Sequence, residues 1–216
     1  MSAVLPTLNH LTLEILENVY EPSDDTFLVC DCLLNEIDRI VALHPLICVE
    51  IGSGSGCIIT YLGQLLNAHN VTSYLVATDI NIHALQATKL TALNNNVSID
   101  CVRSSLLHGM EGWLGKIDIM LFNPPYVPTP NEEISGCGIE VSWAGGDDGR
   151  IIIDKFLPIM QKYLSTNGIC YLLLEKENKP DEIREILKEI GMKSQIIIQR
   201  RAKNEHLCVL RISHCK

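Results

Sequence analysis

The sequence predicts an α/β fold: one doubly wound, mostly parallel sheet of seven strands with an antiparallel hairpin at its C-terminal end. Three observations carry that expectation. Apolar runs of strand length alternate with helical patterns through most of the chain. A glycine-rich turn follows the first of those runs and opens a helix. The last two runs follow each other too closely to admit a helix between them. At 216 residues the chain suits a single α/β domain, placed at 23–216 behind an N-terminal extension, 1–22.

Taken in order, Leu8, Leu11, Ile15 and Leu16 fit a short amphipathic helix to which the sequence gives no role. Ser23 is a good N-cap, Asp24 and Asp25 lie in a first turn that favours acids, and the helix is predicted to run towards Val41. Strands are expected at 46–51, 73–78, 97–103, 117–122 and 168–175. Two more, at about 193–200 and 206–212, form a hairpin through Arg201-Ala202-Lys203-Asn204-Glu205. Ile183, Ile186, Leu187 and Ile190 fall at i, i+3, i+4 and i+7, the core stripe of an amphipathic helix. The connection 127–150 is rich in Pro, Gly and acids, and reads as a wall of a substrate channel. Within it Trp143 either packs against substrate or anchors the loop to the core, and Arg150 is expected to tie the loop to a nearby carboxylate.

Composition narrows the function classes. Hydrophobic residues make up 47%, yet no apolar run reaches the roughly 20 residues that cross a bilayer. The N-terminus has no basic region followed by an apolar stretch, so a cytosolic or nuclear location is expected. Nine cysteines are scattered without a Cys-x-x-Cys pair and seven histidines lack ligand spacing, which argues for reduced, buried thiols and no metal site. A formal net charge of −9 gives no support to non-specific nucleic-acid binding and suits a basic protein partner.

The chemistry resides at strand ends. Gly52-Ser53-Gly54-Ser55-Gly56 follows the first strand, and its glycines let the backbone approach a ligand closely at a helix N-terminus. The spacing is not that of the dinucleotide fingerprint. Glu50, just before the loop, would be unwelcome to a diphosphate but not to a positively charged sulfonium. Asp79 ends the second strand where an acid grips ribose hydroxyls, with a helix cap as the alternative. Asn123-Pro124-Pro125-Tyr126 ends the fourth apolar run with a rigid polar corner, although Asn-Pro is also a common turn initiator. An amide or adenine NH2 group has a delocalised lone pair and is a poor nucleophile. The Asn123 amide oxygen and the Pro124 carbonyl can each accept one of its N–H groups, and Tyr126 offers a flat face to a planar substrate.

Four motifs in this order, Val19-Tyr20-Glu21-Pro22-Ser23-Asp24-Asp25-Thr26-Phe27-Leu28, the Glu50–Gly56 loop, Asn123-Pro124-Pro125-Tyr126-Val127, and Trp143-Ala144-Gly145-Gly146 with Gly149-Arg150, carry a resemblance. The chain resembles the eukaryotic branch of the HemK-type glutamine methyltransferases over roughly 19–212. That resemblance implies a class I, Rossmann-like methyltransferase domain that uses S-adenosylmethionine. It implies a glutamine in the Gly-Gly-Gln loop of a eukaryotic release factor as methyl acceptor. Cofactor contacts then fall on Thr26, Glu50, Gly52, Ser53, Gly54, Gly56, Asp79, Ser105, Leu106 and Asn123. Asn123, Pro124, Pro125, Tyr126 and Trp143 would face substrate, with Asn123, Pro124 and Tyr126 at the chemistry. Relatives usually carry an acid where this chain has Ser105, which predicts weaker cofactor binding here, since charge-assisted bonds are roughly twice as strong. The family typically covers the third strand, an edge at 97–102, with a small zinc-binding activator by strand addition. The alternatives weighed are a histone lysine substrate, DNA adenine methylation, which the acidic balance disfavours, and an inactive binding subunit.

Overall fold

Helix α1 (Leu13–Leu16) is a single turn, shorter than the stripe from Leu8 predicts, and only Leu8 of that stripe packs against the core. The computed structural model describes residues 4–130, 139–202 and 205–215. Helix α2 (Asp24–Asn35) begins as expected at Ser23, whose backbone N–H donates to Thr26 Oγ1 at 3.4 Å. The predicted run to Val41 is interrupted, however: Glu36 leaves helical geometry (φ −99°, ψ 3°) and α3 (Ile37–Leu43) starts afresh. Tertiary bonding overrides propensity there, because Glu36 accepts from Arg211 Nη1 at 2.6 Å and from Tyr171 Oη at 3.3 Å.

From here strands and helices alternate: β1 (Ile47–Ile51), α4 (Cys57–Ala68), β2 (Tyr74–Asp79), α5 (Ile82–Asn94), β3 (Asp100–Arg103) and β4 (Ile117–Phe122). Strand β3 is shorter than predicted. Residues 95–97 instead finish the helix before it, and 98–99 lead into the strand: the Val97 N–H donates back to Ala92 O, Asn96 takes φ +55°, and the Val97 side chain is buried. The connection 127–150 also departs from a structureless wall. It holds β5 (Val127–Pro128) paired in parallel with β6 (Ala144–Gly146), and short 3-10 turns at 139–142 and 147–149; its residues 131–138 lie outside the described part. Then come α6 (Ile151–Tyr163), β7 (Leu164–Glu175), α7 (Pro180–Glu189), β8 (Met192–Ala202) and β9 (Glu205–His214). Ile183 and Leu187 of α7 are fully buried, and Ile186 and Ile190 are half-buried against the same core.

The main sheet has the order β3-β2-β1-β4-β7-β9-β8, parallel except for β9, which runs antiparallel to both its neighbours. The seven strands and the C-terminal hairpin are as expected. Chain order runs outward from β1 to β3 on one side and to β4 on the other, so the sheet reverses direction between β1 and β4. In open α/β sheets that switch point, beyond the carboxyl ends, is where a ligand crevice forms. The register pairs Ile51 with Thr78 and with Phe122, and Asp79 with Arg103, so the strand ends carrying Glu50, Asp79, Ser105 and Asn123 lie level.

Candidate active site

The loop after β1 is built by hydrogen bonds that leave its upper face free. Ser53 N–H donates to Thr78 O at 3.1 Å, and Gly54 N–H to Asp79 Oδ2 at 3.0 Å. Thr88 Oγ1 donates to Gly54 O, which assigns the Ser53 hydroxyl as donor to Thr88 Oγ1 at 2.9 Å. Ser53 therefore directs its side chain away from the crevice and lines it with backbone. Gly56 is more removed. A β-carbon there would overlap the Thr88 backbone, its φ is +75°, and it does not line the cavity. The expected cofactor contact at Gly56 is thus replaced by a packing role against α5.

Glu50 is 1% exposed, and its Oε2 accepts the Ile59 N–H at 3.1 Å. Burial pushes its carboxyl well above the ordinary range. Burial also raises Asp79, opposed by backbone bonds from Gly54, Asn81 and Ile80. Asn81, not Asp79, caps α5, since its side chain accepts the His83 N–H at 2.9 Å. Asp79 braces the loop and faces the cavity, and each carboxylate oxygen keeps a further lone pair for a ligand hydroxyl.

Opposite stands the Asn-Pro corner. Asn123 Nδ2 donates to Asp25 Oδ2 at 2.9 Å, while Asn123 Oδ1 is buried and meets no donor among the described residues. Tyr126 is buried and its hydroxyl donates to Glu205 Oε2 at 3.3 Å. Burial, then the charges of Asp25 and Glu205, raise the Tyr126 phenol, so it stays protonated. Its carbonyl accepts from Asn178 Nδ2 at 2.8 Å, and the same amide nitrogen donates to Asp148 O at 3.0 Å. Arg150 bonds Glu182 at 2.8 Å and Asp154 at 2.9 Å, tying the loop down as its sequence position suggests.

A cavity of about 1060 Å³ joins the two halves. Thr26, Glu50, Gly52, Ser53, Gly54, Asp79, Ser105, Leu106, Asn123, Pro124, Pro125, Tyr126 and Trp143 all line it. Leu106 holds φ +53°, a left-handed conformation that a leucine adopts at a cost of roughly 1–3 kcal/mol.

Comparison with known proteins identifies the family. The methyltransferase small domain family matches residues 31–135. Methyltransferase HEMK2 of Mus musculus is 38% identical over 213 residues, covering 98% of this chain and 97% of that protein. The eRF1 methyltransferase catalytic subunit mtq2 of Schizosaccharomyces pombe is 35% identical, covering 96% and 94%. The chain belongs to the HEMK2/Mtq2 family of methyltransferases. In the solved Mtq2-Trm112 complex of E. cuniculi, a chain 27% identical superposes with a TM-score of 0.68, covering 91% of this chain and 99% of that one.

Family membership leaves several side chains that the sequence did not single out. Asp25, read as a helix-dipole acid, reaches Asn123. Glu205 arrives from β9, Asn178 from the turn after β7, and Tyr20 donates to Asp25 Oδ1 at 3.3 Å. Glu17, Asn18 and Val19 line the cavity from the N-terminal segment, where Asn81 Nδ2 holds Asn18 O at 2.7 Å. His10 bonds Thr91, whose hydroxyl donates to Ser55 O of the glycine loop. Tyr20 and Asp25 are five residues apart within the Val19–Leu28 motif, whereas the other contacts join distant parts of the chain and only a long-range pairing signal would have found them. No group of three or more metal-ligating side chains occurs among the described residues, and no described helix is long and apolar enough to cross a membrane.

Proposed function

We propose that this methyltransferase transfers a methyl group from S-adenosylmethionine to the side-chain amide nitrogen of a glutamine, that of the Gly-Gly-Gln motif of a eukaryotic release factor. The observation that carries the reading is Asn123 Oδ1, a buried acceptor without a donor among the described residues, on a residue at the end of β4 that lines the same cavity as Glu50 and Asp79. The donor set fits the cofactor. Asp79 suits ribose hydroxyls, and a nearby cation, unlike a phosphate, would offset the cost of ionising the buried Glu50 carboxyl. When bound, S-adenosylmethionine supplies an electrophilic methyl group on a positively charged sulfur.

The chain's own residues do the rest. Asn123 Oδ1 accepts one substrate N–H and we assign the Pro124 carbonyl to the other, holding the nitrogen in line for displacement. As that nitrogen's bond to the methyl carbon would form and the methyl–sulfur bond would break, leaving a neutral thioether, positive charge would gather on the nitrogen whose N–H groups the two oxygens accept. One proton then leaves to solvent. Tyr126, held neutral, lines the slot for the planar amide, with Trp143 beside it in the lining.

The same reading extends to a partner. Strand β3 lies on the sheet edge with Val102 exposed, and the related Mtq2 chain is solved with Trm112. A small zinc-binding activator adding to β3 is the partner we propose, and a release factor substrate implies a cytoplasmic location, with the nucleus as the second compartment. The test is transfer of labelled methyl to purified release factor, with and without such an activator, with the site mapped by peptide mass spectrometry. Label on the Gly-Gly-Gln glutamine, increased by activator, supports the reading. Label on a histone tail and not on the release factor would replace the substrate.

A further inference from the structure

We infer that Asp25 is a positioning residue that fixes the polarity of the Asn123 amide, so that the site presents an acceptor and not a donor to the substrate nitrogen. The inference rests on the proposed role of Asn123 as acceptor of a substrate N–H. Asp25 is 3% exposed and sits in the first turn of α2, 98 residues away in sequence from the group it holds. Its Oδ2 accepts from Asn123 Nδ2 at 2.9 Å. Its Oδ1 faces two hydroxyls, Tyr20 Oη at 3.3 Å and Thr26 Oγ1 at 3.4 Å.

A side-chain amide is nearly symmetric in shape, and only its hydrogen bonds decide which end is oxygen. The Asp25 Oδ2 that faces Asn123 acts as an acceptor, so the end of Asn123 turned towards it is NH2. Oδ1 then points the other way, where it is buried without a donor among the described residues. An amide substrate nitrogen offers N–H groups and no usable lone pair in its ground state. With the Asn123 amide reversed, NH2 would meet NH2, and the substrate would lose both its orientation and the oxygen facing its developing charge. A carboxylate in a first helical turn also interacts with the helix dipole, but that interaction does not depend on Asn123.

The two roles separate in the variants Asp25→Asn and Asp25→Ala. In Asp25→Asn the Tyr20 and Thr26 hydroxyls draw the introduced carbonyl oxygen to themselves. The introduced NH2 then occupies the place of Oδ2 and forces Asn123 to turn its oxygen towards it. In Asp25→Ala nothing dictates the orientation, and a fraction of molecules keeps the productive one. If Asp25 served only packing or the helix, the nearly isosteric asparagine would be the milder change.

The experiment uses the full chain, alone and with an added activator subunit of the Trm112 kind. It measures kcat and KM for methyl transfer to release factor, S-adenosylmethionine affinity by calorimetry, and the side-chain 15N–1H signals of Asn123. We expect kcat to fall at least ~100-fold in Asp25→Asn, the scale of losing one oriented stabilising group, and less in Asp25→Ala. Cofactor affinity should change by less than about threefold, well under the ~1.4 kcal/mol that corresponds to tenfold. The Asn123 NH2 signals should lose their carboxylate-induced shift in both variants. Greater activity in Asp25→Asn than in Asp25→Ala, or unmoved Asn123 signals, would overturn the inference. Should the wild-type chain leave release factor unlabelled, the substrate reading fails, while the Asn123 signals still report whether Asp25 sets the amide.

Discussion

Gly149 lies so close to the backbone of Tyr126 that a β-carbon at position 149 would overlap the Tyr126 carbonyl oxygen. That contact explains why a glycine pair in the loop after β5 belongs to the site at all. Gly145 packs in turn on the Gly149 backbone, so loop and Asn-Pro corner are held together through main chain. Gly149 also has φ +66°, where a β-carbon is strained whatever space surrounds it. Gly149→Ala is therefore expected to destabilise the protein by more than about 1 kcal/mol and to displace Tyr126. Denaturant unfolding checks the first part. The second requires that methyl transfer fall further than cofactor affinity, and an equal fall in both would show that only the fold was disturbed.

Asn178 supports the same corner from the other side. It is fully buried, donates to Tyr126 O and Asp148 O, and accepts the Glu175 N–H at 2.8 Å. Asn178→Ala would strand these groups in a dry interior, which costs about 1–3 kcal/mol for each unsatisfied partner. A melting temperature within a degree of wild type would mean that water replaces the side chain there.

What was legible in the sequence was whatever a residue signals through its near neighbours. Glu50, Asp79 and Asn123 could be placed because apolar runs mark where strands stop, and α/β sheets collect ligands at those stops. The hairpin and the α7 stripe followed from spacing alone. Position 36 was illegible, because the bonds from Arg211 and Tyr171 that break the helix come from strands far along the chain. Asp25 carried a sufficient local explanation, as an acid in a first turn, which concealed its bond to Asn123. Gly56 illustrates the opposite error: a glycine in a binding loop need not face the ligand, and this one faces Thr88.

Asn123→Ala removes the free Oδ1 acceptor and leaves Asp25 without its amide partner. Transfer should fall by at least ~100-fold, with cofactor binding much less affected, since Glu50, Asp79 and the glycine loop remain. Single-turnover transfer and calorimetric binding on the same preparation make the comparison. Parallel losses would assign Asn123 to the cofactor or the fold instead.

Glu50 and Asp79 predict a pH dependence with a definite sign. Both carboxyls are raised by burial above their ordinary values of 4.5 and 3.8. The folded, ligand-free protein therefore holds protons that the unfolded chain has released. The associated stabilisation is complete below the unfolded values and is lost as pH rises through the folded ones. Ligand-free stability should thus decline as pH rises above about 5. A cationic ligand favours the ionised carboxyls, so its affinity should increase over the same interval, with proton release. Thermal unfolding across pH, paired with calorimetry in buffers of different ionisation enthalpy, tests both signs. An affinity independent of pH would remove Glu50 from the electrostatics of the ligand.

Ser105 tests whether the cavity meets the adenine end of the proposed cofactor. It lines the cavity beyond β3, is exposed, and is followed by the left-handed Leu106. A hydroxyl there accepts a hydrogen bond from an amine, but it is neutral, whereas a carboxylate accepts a charge-assisted bond of roughly twice the strength. The exposure matters to the sign, because an introduced carboxylate at this position keeps its water when no ligand is bound and adds little desolvation cost. Ser105→Asp is accordingly expected to tighten S-adenosylmethionine binding by about 3- to 10-fold, an increment of roughly 0.7–1.4 kcal/mol. It should leave kcat nearly unchanged, because the adenine lies away from the transferred methyl. Sinefungin and S-adenosylhomocysteine share the adenine and should gain by a similar factor, whereas methylthioadenosine lacking its 6-amino group should gain nothing. If S-adenosylmethionine binds no better to the variant, Ser105 is not the position that meets the adenine amine, and the acceptor must be sought in the backbone around Leu106.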